Sequence, residues 1–262
     1  FKLSIRDQIP QIEYASNQIR HILVIRILAS LTQDDINILK SFQKQNGIEF
    51  WSQTKGYDTV KPLFNESINQ ITYKNKEFNL KFLFHPTGFT QINPFINQIL
   101  IRKVIALLRP SKSDVILDLF SGVGNFTLPI ATSGATVFAI EGDEMLVESG
   151  NTNAIENNLS ENVSFKLADL FSIKKEELLS LGQATKWLID PPRAGALNLV
   201  NLIDSEIKPK LIIYISCNPA TLARDSDILV NKKNYIFKEG GIVNMFPHTS
   251  HIESIAVFEV NE

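Results

Sequence analysis

Cysteine is almost missing from these 262 residues: Cys217 stands alone. A single thiol forms no internal disulfide, and by itself it cannot build an iron–sulfur cluster or a cysteine zinc site. Such a chain fits a reducing compartment. Long apolar runs are missing too, and none approaches the ~20 residues of a membrane-spanning helix. There is no secretory signal pattern. The first residue is Phe1 rather than methionine, so a fragment lacking an amino-terminal part is expected. Nor is there a basic excess. The net charge is −2, with 11 Lys+Arg against 8 Asp+Glu in residues 1–90 and 15 against 20 in residues 91–262. That asymmetry is too small to name a partner, although a local pocket can bind nucleic acid without a basic whole. The remainder is ordinary for a globular protein, 44% hydrophobic and 21% charged. Its length allows one large domain or two smaller ones.

The first third reads as a small α+β unit. A strand is expected over 21–28 and a helix over 33–46, with Thr32 as its cap and Ile36, Leu39 and Phe42 at helical spacing. Another strand is expected over 48–53. Segments 70–73 and 77–84 flank Lys74-Asn75-Lys76 as a hairpin. The stretch from His85 to Gly88 breaks the composition and divides the chain into a domain over 1–86, supporting or RNA-contacting, and a second over 87–262. A helix follows Pro94, with Ile96, Ile99, Leu100, Val104 and Leu107 as its apolar face.

From residue 114 onward strands and helices alternate. Strands are expected over 115–120, 136–141, 163–168, 187–189 and 211–215, with helical segments between them. This is the pattern of a doubly wound, mostly parallel α/β sheet. Segments 235–243 and 252–260 have no helix between them and are expected to pair antiparallel at one edge.

Ligands of such sheets sit beyond the carboxyl ends of the strands, and the informative residues fall there. Asp118 to Phe126, reading DLFSGVGNF, follows the first strand and opens a helix. Gly122 and Gly124 allow close approach to a ligand, but Thr127 replaces the third glycine of a dinucleotide fingerprint. Glu141 ends the second strand, where a carboxylate can accept both hydroxyls of a ribose. Asp169 follows the third strand and could meet an adenine amino group. A glycine loop and two acids in this order describe an S-adenosylmethionine site. The fourth strand runs into Asp190-Pro191-Pro192-Arg193, a rigid turn. Arg193 stands where enzymes that methylate amino nitrogens often carry an aromatic, which disfavours a nitrogen target. The run 211–215 ends at Ser216-Cys217-Asn218-Pro219. A thiol there is either a nucleophile or a small buried hydrophobe.

Four segments, DLFSGVGNFTLP, LIDPPRAGA, YISCNPATLARD and MFPHTSHIES, resemble in this order the bacterial RNA uracil-C5 methyltransferases. The 23S ribosomal RNA members are most similar, with a tRNA member as a relative. The resemblance runs from about residue 84 to the carboxyl end. It implies a class I methyltransferase, a Rossmann-like doubly wound sheet preceded by the small α+β domain, with S-adenosylmethionine as cofactor. It implies Cys217 as nucleophile and Glu253 as base. It also implies Gln91, Phe120, Asn125, Glu141, Asp169 and Asp190 as cofactor-binding residues, Asp169 being the loosest match. Ser121 stands where many relatives have cysteine. Relatives often add an amino-terminal RNA-binding domain and an iron–sulfur cluster; the cluster belongs to a full-length protein and not to this chain.

The chemistry implied is methyl transfer to carbon 5 of a uridine flipped from RNA, most simply 23S rRNA. A thiolate is the attacking species, so the Cys217 pocket should favour the charge. Phe89 is a candidate stacking face for the base. His248 and His251 are expected to orient the segment that carries Glu253 rather than to bind metal. Arg193 could hold a phosphate, a uracil carbonyl or a structural salt bridge. A cytoplasmic monomer with RNA as partner and no membrane partner is expected. The rival readings are a tRNA uridine enzyme, a DNA cytosine-C5 methyltransferase and a non-catalytic RNA-binding scaffold. The DNA enzymes place their cysteine in a Pro-Cys pair after the fourth strand, where this chain has Pro191-Pro192.

Overall fold

The computed structural model describes all residues except 1, 18, 65–70, 89–92, 246, 250 and 262. The chain forms two compact units. One comprises Phe1–Tyr73 and Phe82–Thr90; the other comprises Lys74–Lys81 and Gln91–Glu262.

In the first unit β1 (Gln11–Ser16) pairs antiparallel with β2 (His21–Arg26). Helix α1 (Gln33–Asn46) then crosses to β3 (Ile48–Gln53), which lies parallel to β2, and β4 (Lys61–Pro62) closes the sheet. The expected strand over 21–28 ends at Arg26, and β1 falls in a stretch that reads as irregular. Its burial shows why: Ala15 is its only buried residue, so the strand carries no apolar alternation. Helix α1 starts on a capping box. The Thr32 hydroxyl accepts from Asp35 N–H, and the Asp35 carboxylate accepts from Thr32 N–H at 2.9 Å. Asp35 also accepts from the Ser4 N–H and hydroxyl, both at 2.6 Å, and these bonds hold its carboxyl well below the usual range. Gly47 ends the helix in the left-handed region.

Strands β5 (Ile71–Asn75) and β6 (Leu80–Phe84) form the expected hairpin, the first arm ending two residues later and the second starting three residues later than expected. Its turn is therefore 76–79, with Asn79 at φ 52°, rather than 74–76. The tip belongs to the second unit. Lys81 N–H donates to Asn157 Oδ1 at 2.8 Å, Asn157 Nδ2 returns a bond to the Lys81 carbonyl at 2.7 Å, and Glu77 takes two bonds from Arg102, each 2.8 Å.

The second unit opens with α2 (Pro94–Leu108), capped by Asn93. Then β7 (Val115–Leu119), α3 (Thr127–Ala131), β8 (Thr136–Glu141), α4 (Glu144–Glu156), β9 (Val163–Leu167), α5 (Lys175–Ser180), β10 (Lys186–Ile189), α6 (Leu197–Leu202), β11 (Leu211–Ser216) and α7 (Pro219–Lys232) alternate. Strands β12 (Tyr235–Val243) and β13 (Glu253–Val260) end the chain. The seven strands lie in the order β9-β8-β7-β10-β11-β13-β12. All contacts from β9 to β11 are parallel, and β13 is antiparallel to both neighbours. Strands β12 and β13 pair antiparallel at one edge, as expected, with β13 inserted between β11 and the edge strand β12. The burial of β13 explains the insertion: six consecutive residues from Glu253 are buried, whereas β12 is exposed along most of its length.

The buried stripe of α2 is Asn97, Leu100, Ile101, Val104 and Leu108. The expected face is rotated by about one residue, and Ile99 is 40% exposed. A helix apolar nearly all round admits either stripe. Helix α4 meets β9 through a glycine: a Cβ on Gly150 would fall 2.4–2.6 Å from the Phe165 ring. Gly150→Ala is expected to destabilise the second unit by about 1–3 kcal/mol. Adding Phe165→Leu should recover part of the loss; the measurement is the urea midpoint of both variants, and an unchanged midpoint for the single variant would contradict the contact.

Candidate active site

The register of the sheet sets the site. Leu119 and Ile189 end β7 and β10 side by side, Ile189 faces Tyr214 of β11, and Ser216 faces Ser254 of β13. Because β13 runs the other way, its first residue, Glu253, lies at the same edge as the last residues of the parallel strands. Asp190, Cys217 and Glu253 thus follow or begin three adjacent strands, whose spacing is ~4.8 Å. Glu141 ends β8, two strands from Asp190.

These groups are electrostatically crowded. Asp118, one residue inside β7, is fully buried, and its Oδ2 accepts the Thr127 hydroxyl at 2.5 Å. Burial raises the Asp118 carboxyl to about 7, with a contribution from Glu141. That bond also accounts for Thr127 where a dinucleotide loop has glycine. Asp190 is raised to about 8, first by burial and then by Glu253 and Asp118. Glu253, 7% exposed, is raised by burial. Among the described residues Asp118 Oδ1 and Ser121 Oγ are buried polar atoms without a hydrogen-bond partner. Buried like charges and an orphaned carboxylate oxygen make this edge a place for a cation.

The half-buried Cys217 thiol is pushed up by burial, then by Glu253 and Asp190; its own backbone and Arg193 oppose the shift. The expectation that this pocket favours the thiolate is therefore corrected: the carboxyl groups on both neighbouring strands disfavour it.

The other expected residues are placed as follows. Both oxygens of the half-buried Glu141 are oriented by main-chain donors, Oε2 by Gly122 N–H at 2.9 Å and Oε1 by Gly142 at 2.7 Å and Asp143 at 3.1 Å. Oε1 has both lone pairs taken, whereas Oε2 keeps one for another donor. Phe120 takes φ 68°, strained for a bulky residue, and its ring lies 5.5 Å from that of Phe171, tilted by 55°. Asp169, exposed after β9, accepts from Phe171 N–H at 2.9 Å and the Ser172 hydroxyl at 2.7 Å, and these bonds lower its carboxyl. It stands apart from the carboxyl cluster. Gln91 and Phe89 lie outside the described residues. His248 and His251 are both exposed, and among the described residues no group of three His, Cys, Asp or Glu could hold a metal ion.

Two contributors escape a reading by motif. Asn125 forms a reciprocal amide pair with Asn97 of α2, at 2.8 and 3.0 Å, which leaves one N–H and one lone pair of Asn125 pointing outward. Asn97 is 8% exposed within an apolar stripe, and a polar residue at such a position is the signal that could have found it. Phe171 is the second, 49% exposed beside Phe120.

A family model described as tRNA (uracil-5-)-methyltransferase matches residues 63–260. The chain belongs to the tRNA (uracil-5-)-methyltransferase family. Within that family it is 46% identical over 98% of its length to the 23S rRNA (uracil(1939)-C(5))-methyltransferase RlmD of Cupriavidus pinatubonensis, covering 57% of that protein. It is 44% identical to the RlmD of Chromobacterium violaceum, again over 98% of the chain and covering 51% of the relative. The chain thus spans about half the length of these relatives. Its fold matches the Pyrococcus abyssi tRNA (uracil-54, C5)-methyltransferase in complex with S-adenosyl-L-homocysteine. That match has a TM-score of 0.72 at 25% identity and covers 94% of this chain and 58% of that one.

Because Cys217 is the only cysteine, its titration can be read directly by the pH dependence of iodoacetamide alkylation of the folded chain. Its midpoint is expected above the ordinary thiol range, and Glu253→Gln, which removes a neighbouring negative charge, should lower it. A midpoint that does not move would separate Glu253 from the thiol.

Proposed function

We propose that this chain is the catalytic part of an RNA uridine methyltransferase that moves a methyl group from S-adenosylmethionine to carbon 5 of a uracil, with 23S rRNA as substrate. The observation that carries the reading is the lone thiol just past the end of β11, flanked by carboxyl groups at the ends of the two adjacent strands. The 44–46% identity to 23S rRNA enzymes favours ribosomal RNA over tRNA. Turn Asp190-Pro191-Pro192 carries no cysteine, which speaks against the DNA cytosine reading. The enzyme proposed is a cytoplasmic monomer acting on RNA; among the described residues no helix is long and apolar enough to cross a membrane.

The donor set suits S-adenosylmethionine. The unpartnered Asp118 Oδ1 and the raised Asp118, Asp190 and Glu253 carboxyls match a cationic ligand, and Glu141 offers a fixed acceptor, Oε2, to a ribose hydroxyl. Phe120, Asn125 and Asp190 complete the binding residues, with Gln91 and Asp169 as further candidates. When bound, the cofactor supplies an electrophilic methyl group on a sulfonium.

The reaction needs three things from the chain. Cys217 must attack uracil carbon 6: the Sγ–C6 bond forms, the ring electrons move toward carbon 5 and O4, and the thiol proton leaves to a neighbouring carboxylate or water. Carbon 5 then carries the negative character that accepts the methyl group, provided the pocket holds both partners in line. Glu253 next removes the remaining proton from carbon 5. The electron pair of that C–H bond re-forms the C5–C6 double bond, and the thiolate is expelled. A carboxyl raised by burial is a stronger base than one in water, which suits Glu253 to this step.

Cys217→Ala is expected to abolish methyl transfer while leaving cofactor binding nearly intact; normal turnover would refute the mechanism. Glu253→Gln should accumulate a covalent protein–RNA adduct on a denaturing gel, and retained activity without adduct would remove Glu253 as base. Glu141→Ala should weaken S-adenosylmethionine binding by roughly tenfold or more, since hydrogen bonds to a charged acceptor contribute ~1.5–3 kcal/mol. Calorimetry reads this, and unchanged affinity would reassign the residue.

A further inference from the structure

Helix α7 begins immediately behind Cys217 and carries a buried acid that the mechanism above does not use. Asp225, in its second turn, is fully buried. Its Oδ2 accepts from the Tyr214 hydroxyl at 2.7 Å and from Ala196 N–H at 2.8 Å, and its Oδ1 accepts from Arg224 Nε at 2.8 Å. Arg224 passes the link on, donating through Nη2 to the Ala194 carbonyl at 3.0 Å. One residue earlier, the Arg193 carbonyl accepts from Asn218 Nδ2 at 2.9 Å and from the Thr221 hydroxyl at 3.3 Å. Gly195 completes the fit. It sits at φ +76°, and a Cβ there would fall 2.7 Å from Arg224 Nη2 and 2.8 Å from Asp225 Oδ2. The loop that follows Asp190 is therefore bonded along its main chain to the helix that follows the thiol.

We propose that Asp225 is a positioning residue for Cys217: by tying residues 194–196 to α7 it holds the Arg193 guanidinium in a fixed relation to the thiol. The inference rests on the reading of Cys217 as nucleophile. Arg193 is the side-chain cation that opposes Glu253 and Asp190 at the thiol. Its backbone is anchored beside Cys217 by Asn218, but its side chain is exposed, so its influence depends on where the loop is held. A carboxylate suits the anchoring task because its two oxygens accept from Tyr214, Ala196 and Arg224 at once. An asparagine offers one acceptor oxygen and brings donors of its own.

The test is a double-mutant cycle on Cys217 alkylation by iodoacetamide in the folded chain, which needs neither RNA nor methyl transfer. Arg193→Gln should slow alkylation at about pH 8 by roughly two- to fivefold, the scale of a partly screened neighbouring charge. In an Asp225→Asn background Arg193→Gln should have no further effect. If circular dichroism shows that Asp225→Asn does not fold, Arg224→Gln replaces it in the cycle, because it cuts the link from Asp225 to Ala194 and leaves the bonds of Asp225 to Tyr214 and Ala196 in place. Equal slowing by Arg193→Gln in both backgrounds overturns the proposal, as does no slowing in either. If the cycle behaves as expected and Cys217→Ala still transfers methyl groups, the nucleophile reading fails while the positioning role stands.

Discussion

Crowding of negative charge at one sheet edge is the constraint on which this site depends. Asp118 and Glu253 are buried and Asp190 is half-buried at this edge, and each is pushed toward its neutral form. Like carboxylates in a low-dielectric pocket cannot all ionise without a compensating charge. Left alone, the arrangement costs stability and raises the neighbouring thiol. A cationic ligand reverses both effects, since its charge favours every ionised form in the pocket. A site that is electrostatically unfavourable by itself thus becomes selective for a cation and more reactive once the cation arrives. Perturbed groups gathered in this way are common at functional sites.

The fold produces this crowding through two features of its sheet. Parallel strands bring the ends of β7, β8, β10 and β11 to one edge, and the reversed β13 adds Glu253 to that edge from a segment far away in sequence. An edge position for the antiparallel strand would have left Glu253 without its place beside Cys217. On the proposed mechanism, the insertion of β13 between β11 and β12 serves catalysis as well as packing.

Much of this could be read from the residues. The alternation of elements after residue 114, the acids after the strands and the solitary thiol are local signals, and each falls where the expected strand ends. Less visible were the partners. Asp118 with Thr127, Asn97 with Asn125, and Asp225 with Tyr214 and Ala196 are pairs that only the folded chain brings together. The α2 face lies about one residue from the expected stripe because that helix is apolar on more than one side, and β1 leaves no pattern in the sequence because it buries almost nothing. The raised thiol was unreadable for the same reason as the pairs: its cause lies on two other strands.

The most direct test of the electrostatic account is infrared difference spectroscopy at neutral pH, following the C=O stretch of protonated carboxyl groups. The free chain should show such bands, and they should be lost in an Asp190→Asn variant in proportion to that residue's share. Addition of S-adenosylmethionine should deplete them more than addition of S-adenosylhomocysteine, which lacks the sulfonium charge. No protonated carboxyl in the free chain, or equal depletion by the two ligands, would contradict the claim that a crowded acidic edge awaits a cation.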